Sequence, residues 1–129
     1  MAKRLSRQST IERILRDIIK EGGFGGAVVA SSDGLPIAMV RGREGTKVDT
    51  KLMGAIAASI KDLATRAHQE LDEISLRDKK GKLVVSRYFF IVAPQGQYNL
   101  LLAVQVPAKR PYRRLVNQAV KRIQQVWSD

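Results

Sequence analysis

The side chains that could perform acid–base or nucleophilic chemistry are few, and none has the partners that such chemistry needs. His68 is the only histidine and the chain has no cysteine, so the sequence supplies neither a metal-ligand set nor a catalytic triad around it. Asp72 and Glu73 are adjacent, and adjacent side chains of a strand point to opposite faces, so they cannot act as a paired general acid and base. Ser31 and Ser32 lack a neighbouring base. We predict that the protein is not an enzyme and uses no cofactor or metal.

A glycine-rich stretch at residues 22–26 invites a phosphate-binding interpretation. A phosphate-binding P-loop would continue into Gly-Lys-Ser or Gly-Lys-Thr at the start of a helix, and no such triplet follows. The dinucleotide-binding pattern of three glycines would need a glycine at position 28, where Val28 stands. We predict a flexible connector between a helix and a strand.

Length and composition indicate one globular domain spanning residues 1–129. The chain is 44% hydrophobic, and no apolar run approaches the roughly 18 residues that span a bilayer. The basic N-terminus, Met1 to Arg7, lacks the apolar core of a signal peptide. Together with the absence of cysteine, these features favour a cytoplasmic protein.

The net charge of +11 is concentrated in the C-terminal part, because residues 79–128 contain ten Lys and Arg residues and no acidic one. A one-sided basic surface suggests an anionic partner, which is a nucleic acid, a phospholipid or an acidic protein face, whereas the alternative is a solvated surface. The densest cluster contains Tyr112, which could stack on a base, but no recognised nucleic-acid motif accompanies it. The predicted anionic-partner surface consists of Lys109, Arg110, Tyr112, Arg113 and Arg114.

Amphipathic helices are predicted at both ends of the chain. The first spans Ser6 to Lys20, with Ser9 as the N-cap of a capping box completed by Glu12, and the glycines at 22 and 23 end it. The last begins near Pro111, because proline suits the first turn of a helix. Its apolar residues recur at four-residue spacing: Leu115, Ala119, Ile123 and Trp127.

A β-hairpin is predicted over residues 25–40. Asp33 and Gly34 provide the turn, since glycine adopts positive φ without a steric clash. Pro36 lacks a backbone N–H, so the return strand should lie at a sheet edge.

A polar loop from Arg41 to Asp49 leads into a second, alanine-rich helix, which Asp49 or Thr50 caps and which runs to about His68. Its apolar residues occupy more than one side of the helix. The sheet can cover one side, and a second protein chain is the simplest cover for the other. The apolar stripe comprises Leu52, Met53, Ile56, Ile60, Leu63 and Ala67, widened by Ala55, Ala57, Ala58 and Ala64.

Three further strands are predicted at residues 70–77, 82–93 and 98–106, joined by turns at 78–81 and 94–97. The middle strand is apolar enough to be buried on both faces over much of its length. The order is therefore α-β-β-α-β-β-β-α. Consecutive strands joined by short turns predict a mostly antiparallel sheet covered by helices, an α/β fold of the α+β sandwich type.

On these residues the chain resembles the roadblock/dynein-light-chain family. The closest match is the hairpin from Gly26 to Ala38, supported by the alanine-rich second helix and by the stretch from Arg114 to Ile123. The resemblance extends from about Ser9 to Trp127. It implies a central antiparallel sheet of about five strands, with one helix on one face and two on the other.

The resemblance also implies a function. Members of the family homodimerise through the second helix and the third strand, and act as regulators or scaffolds for small Ras-like GTPases or as dynein-associated subunits. Bacterial and archaeal relatives include a GTPase-activating protein, but no arginine-finger motif defines the family, so no catalytic residue carries over.

We therefore predict a non-catalytic homodimeric regulator or scaffold of a small Ras-like GTPase, and GTPase-activating activity stays open. The alternatives are a basic module that binds nucleic acid or an anionic membrane, and a structural subunit of a larger assembly. The predicted dimer-interface residues are Met53, Ile56, Ala57, Ala58, Ile60, Ala64 and Ile74.

Overall fold

A computed structural model describes residues 2–42 and 50–128, with side chains over residues 7–42 and 50–127. Three helices and five strands follow the predicted order: α1 (Ala2–Gly22), β1 (Gly26–Ser31), β2 (Pro36–Arg41), α2 (Thr50–Arg66), β3 (Glu73–Arg77), β4 (Leu83–Ala93), β5 (Gly96–Val106) and α3 (Arg113–Ser128). Most of the predicted 41–49 loop, including Asp49 as a helix cap, lies outside the described residues.

The five strands form one antiparallel sheet in the order β2-β1-β5-β4-β3. Helices α1 and α3 pack against each other and cover one face of this sheet, and α2 covers part of the other face. The predicted fold class is confirmed. No helix in the described part of the chain combines the length and apolar character that a membrane span requires.

Helix α1 is longer than predicted at both ends, and the predicted capping box is wrong. The helix begins at Ala2, so Ser9 lies inside it, and the carboxylate of Glu12 instead accepts a 3.2 Å hydrogen bond from Arg16. Residues 3–8 are mostly Lys, Arg, Leu and Gln, which favour helix strongly enough to continue the helix past the serine. The predicted glycine stop is confirmed, because Gly23 has a φ of +67°.

The β1–β2 hairpin is confirmed. Gly34 has a φ of +85°, and its amide donates a 2.9 Å hydrogen bond to the carbonyl oxygen of Ser31. Strand β2 lies at one edge of the sheet, as the missing N–H of Pro36 predicts. This hairpin supplies β1, whose residues 26–30 are completely or almost completely buried between the two helical layers.

Several element ends differ from the prediction. Helix α2 ends at Arg66, because the chain reverses at His68, which has a φ of +61°. Strand β3 is limited to residues 73–77, and β5 extends back to Gly96. Helix α3 begins at Arg113, so Pro111 precedes the helix and does not form its first turn.

Strand β4 is also less buried than predicted. Val85, Ser86 and Tyr88 are buried, whereas Phe90 and Val92 are 49% and 64% exposed. The reason is that β3 begins at Glu73, opposite Arg87, and leaves the second half of β4 at the sheet edge. The second half of β4 therefore presents apolar side chains to solvent at the sheet edge.

Candidate functional site

Helix α2 contacts the sheet through its smallest residues. Gly54, Ala57 and Ala58 are buried with Met53 against Val28 and neighbouring side chains of the sheet. A Cβ atom at Gly54 would lie only 3.4 Å from the Cβ atom of Ala30, so the helix lies close to β1. These residues anchor α2 on the sheet, and this packing buries one of the two apolar sides of the helix.

A buried tyrosine reinforces this contact. The hydroxyl group of Tyr88 on β4 donates a 2.6 Å hydrogen bond to the carbonyl oxygen of Ala57. Burial disfavours the charged phenolate and raises the pKa of Tyr88 to about 12. The ammonium nitrogen of Lys61 lies 4.8 Å from the centroid of the Tyr88 ring. The tyrosine is thus a neutral structural link between helix and sheet.

The opposite side of α2 faces outward and is still apolar. Leu52, Ile56 and Leu63 are 53%, 41% and 63% exposed. An ordinary amphipathic helix would carry polar side chains at such positions. The predicted second apolar side of the helix is therefore present, and no part of this chain that the structure describes covers it.

The sheet continues this apolar surface beside α2. The helix packs over β1, β2 and β5 and leaves the β3–β4 side of the same sheet face open. Leu76 and Phe90 alternate in register with residues that face α2, and both are exposed, as is Val92. We call the combined surface the apolar patch, which consists of Leu52, Ile56, Leu63, Leu76, Phe90 and Val92.

The predicted interface residues divide between the two sides of α2. The side chains of Met53, Ala57 and Ala58 are 8%, 1% and 8% exposed and are already covered by the sheet of their own chain. Ile56 faces outward. Ile60, Ala64 and Ile74 are half-buried, Ile74 against the small core under α2. Helical periodicity alone does not establish which apolar side packs on the sheet. The prediction that β4 is buried on both faces missed the exposure of Phe90 and Val92.

The residues of the predicted basic cluster line two different recesses and the connector before α3. Arg110, Tyr112 and Arg114 line a cavity of about 130 Å³ together with Glu21, whose carboxylate lies 3.1 Å from the guanidinium of Arg114. Arg113 instead lines a shallow groove with Asp72, Glu73 and Arg87 on the β3–β4 side. Lys109 is exposed in the connector before α3, with a φ of +62°.

The basic residues of α3 lie beside charged residues of α1, although the two helices are far apart in the sequence. Arg122 of α3 lies 3.0 Å from Asp17 of α1, and Arg7 lies over the ring of Trp127 at 5.8 Å from its centroid. The two ends of the chain thus build one charged layer. One sequence signal could have predicted this pairing of α1 with α3. Helix α1 contains acidic residues, whereas α3 contains basic residues and no acidic one.

The residues considered for chemistry are dispersed. His68 is exposed beyond the end of α2, and Asp33 is exposed in the β1–β2 turn. Glu73 lies 3.5 Å from Arg87 in an ion pair. Within residues 2–42 and 50–128, no group of three or more His, Asp and Glu side chains could hold a metal ion.

Comparisons with known proteins agree with this architecture. The sequence model of the Roadblock/LC7 domain matches residues 10–105, whereas the comparison with curated proteins gave no match. Several solved structures are similar in fold, among them two of MglB and one of a Roadblock/LC7 domain. A structure of MglB with tetrameric arrangement is 12% identical, with a TM-score of 0.73, and the alignment covers 95% of this chain and 90% of that chain.

Gliding protein MglB from Thermus thermophilus is 11% identical, with a TM-score of 0.72 and coverage of 95% of this chain and 91% of that chain. A Roadblock/LC7 domain from Streptomyces avermitilis is 16% identical, with a TM-score of 0.63 and coverage of 89% and 92%. At these identities the structural similarity concerns the fold alone. Because the family match covers most of the residues from α1 to β5, the chain belongs to the Roadblock/LC7 domain family.

Proposed function

We propose that this protein is a non-catalytic, homodimeric regulator of a small Ras-like GTPase and that it acts in the cytoplasm. The observation that carries this proposal is the apolar patch, which lies on α2 and on the neighbouring β3–β4 side of the sheet. Exposed apolar side chains grouped on one face are typical of protein interaction sites. The same two elements are those through which members of this family dimerise.

Self-association through the apolar patch would bury two groups of apolar side chains that are exposed in the single chain. The outward side of α2 would gain an apolar cover, and Phe90 and Leu76 would be removed from water. Strand β3 is a short edge strand, so its outer backbone groups are also available to a second chain. The similar MglB structure has a tetrameric arrangement, which supports self-association as a property of this fold.

The GTPase assignment rests on family membership together with the lack of a catalytic arrangement in the described residues. A regulator without chemistry of its own can act by binding one conformation of the GTPase switch loops better than the other. Acceleration of hydrolysis and service as a scaffold are two outcomes of such binding.

The dimer is tested by light scattering of the wild-type protein and of Leu63→Gln. We expect a dimeric mass at about ten micromolar and an increase of at least about tenfold in the dissociation constant of the variant, since each subunit loses a buried leucine. Leu35→Gln is the matched control, because Leu35 is 67% exposed but lies in the β1–β2 turn, outside the apolar patch. A monomeric wild-type protein, or equal effects of both variants, would contradict the proposed interface.

The regulatory role is tested with Ras-like GTPases from the same cell, each loaded with GDP or with a non-hydrolysable GTP analogue. We expect one GTPase to bind with a clear preference for one nucleotide state, and single-turnover hydrolysis then distinguishes an activator from a scaffold. Absence of binding in both states by every GTPase of that cell would refute the role even if the protein is a dimer.

A further inference from the structure

We infer that the face formed by α1 and α3 binds the surface of an anionic phospholipid membrane through its basic side chains. We call this surface the two-helix face, which consists of residues 7–22 and 109–127. It lies across the sheet from the apolar patch, so the inference does not depend on dimerisation or on GTPase binding.

The charge of the two-helix face is strongly one-sided. Its residues include ten Lys and Arg and only three acidic residues, a formal excess of seven positive charges. Nine of the ten basic residues are exposed, and Arg7 is half-buried. The ten are Arg7, Arg13, Arg16, Lys20, Lys109, Arg110, Arg113, Arg114, Lys121 and Arg122.

All three acidic side chains of this face are already paired within it. Glu12 lies 3.2 Å from Arg16, Asp17 lies 3.0 Å from Arg122, and Glu21 lies 3.1 Å from Arg114. By contrast, Arg13, Lys20 and Lys121 form no ion pair with any described residue. Arg113 lines a groove with Asp72 and Glu73. The other unpaired cations have no acidic side chain of this face left to balance them, and they attract an external anionic surface.

The two-helix face lacks the apolar centre that a protein partner would need. Every large apolar side chain that is exposed in the described structure lies between Leu35 and Tyr98, outside α1 and α3. Specific protein interfaces usually bury an apolar core inside a polar rim. Lipid headgroups need no such core, so charge without exposed apolar residues fits a bilayer surface better than a folded protein.

The shape and the aromatic residues of this face also disfavour nucleic acid. Helices of 21 and 16 residues lie side by side and extend about 32 and 24 Å, which makes a broad surface that a cylindrical duplex would touch along one line only. Tyr112 and Trp127 are half-buried, with the guanidinium groups of Arg113 and Arg7 at 5.9 and 5.8 Å from their ring centroids. No open aromatic ring is therefore available on the described part of this face for a base to stack on. A flat bilayer can meet the cations of both helices at once.

The test is sedimentation with vesicles of phosphatidylcholine alone or with about 30% phosphatidylserine, because anionic headgroups supply the attraction. We expect binding only to the anionic vesicles, weakening as salt rises from low to physiological concentration. The variant Arg13→Gln with Lys121→Gln should bind about 25-fold more weakly, since each basic side chain near such a surface contributes about fivefold.

The matched control is Lys51→Gln with Arg66→Gln, which removes one Lys and one Arg from α2, on the other side of the sheet. Circular dichroism verifies that both variants are folded. Equal losses in the two variants would show attraction by net charge alone and overturn the assignment of the face. Absence of binding to anionic vesicles at low salt would also overturn the assignment. So would competition by a random-sequence duplex or single strand that displaces the protein from the vesicles at physiological salt and equal phosphate concentration.

Discussion

The hydroxyl oxygen of Tyr88 lies 2.6 Å from the carbonyl oxygen of Ala57, and this hydrogen bond joins the middle of β4 to the middle of α2. The contact lies where the helix stops covering the sheet, because α2 packs over β1, β2 and β5 but not broadly over β4. Tyr88 therefore fixes the border between the covered part of the sheet and the apolar patch.

Tyr88→Phe should lower the free energy of unfolding by about 1 kcal/mol, the usual contribution of one hydrogen bond whose other partner keeps its helical bond. Chemical denaturation at neutral pH measures this loss. Tyr98→Phe, at a 47% exposed position, is the matched control and should have little effect. If both substitutions have the same effect, the hydrogen bond to Ala57 contributes nothing specific.

The raised pKa of Tyr88 predicts a loss of stability at high pH. The phenol titrates near 10.0 in the unfolded chain and near 12 in the folded protein. Between these values the folded state retains a proton that the unfolded state has released, so stability falls as pH rises above about 10, by about 1 kcal/mol at pH 11. Tyr88→Phe removes this contribution. The stability difference between wild type and variant should therefore shrink from pH 9 to pH 11, and a constant difference would contradict the assignment.

Two neighbouring residues on α2 should respond to arginine in opposite ways. Ala57 is 1% exposed against the sheet, so Ala57→Arg buries a charge inside the chain and should destabilise the fold by several kcal/mol. Ile56 is 41% exposed, so Ile56→Arg should leave the melting temperature of the monomer nearly unchanged and weaken self-association. Thermal melts combined with molar mass separate these effects. A folded Ala57→Arg monomer would mean that the inward side of α2 is misassigned.

This pair of residues shows what the sequence could and could not establish. The alanine-rich pattern correctly predicts a helix that is apolar on two sides, because that follows from 3.6-residue periodicity. Which side meets the sheet depends on size complementarity: Gly54, Ala57 and Ala58 permit close approach to β1, and this is a property of the packed pair of elements. The open half of β4 is hidden from the sequence for the same reason, since its exposure depends on where β3 begins.

Local signals were reliable where one residue determines the backbone. Gly34 has positive φ as predicted, Gly23 follows the end of α1 as predicted, and Pro36 lies on the edge strand. The Ser9 capping box was predicted wrongly, because the residues on both sides of Ser9 favour helix and α1 continues through it. The charged layer of α1 and α3 required tertiary structure, because the pair Asp17–Arg122 joins residues 105 positions apart.

Gly34→Val should destabilise the protein by about 2 kcal/mol or more. A φ of +85° is unfavourable for a β-branched residue, and its Cβ atom would lie 3.2 Å from the Cα atom of Ala55. Gly81→Val is the control: Gly81 has a similar φ of +87°, but a Cβ atom there would meet only Ala108, at 3.3 Å. We expect the larger loss for Gly34→Val in thermal melts. A smaller loss at Gly34 would mean that the hairpin turn is not packed on α2.

Salt should stabilise this protein. If exposed ion pairs held the fold together, salt would instead destabilise it. Exposed pairs such as Glu21–Arg114 contribute little and are screened by salt, whereas the excess cations of the two-helix face repel one another in the folded state. Raising ionic strength from about 0.01 to 0.15 M should therefore increase the melting temperature by roughly 4 °C, which corresponds to about 1 kcal/mol.

Lys121 provides a graded test of this repulsion, because it is exposed and the residues three and four positions away on α3 are uncharged. Lys121→Gln should raise the melting temperature at low salt, and Lys121→Glu should raise it further. Both variants should depend less on salt than the wild type, and a melting temperature that falls with salt, or drops from Lys to Gln to Glu, would contradict repulsion within this face.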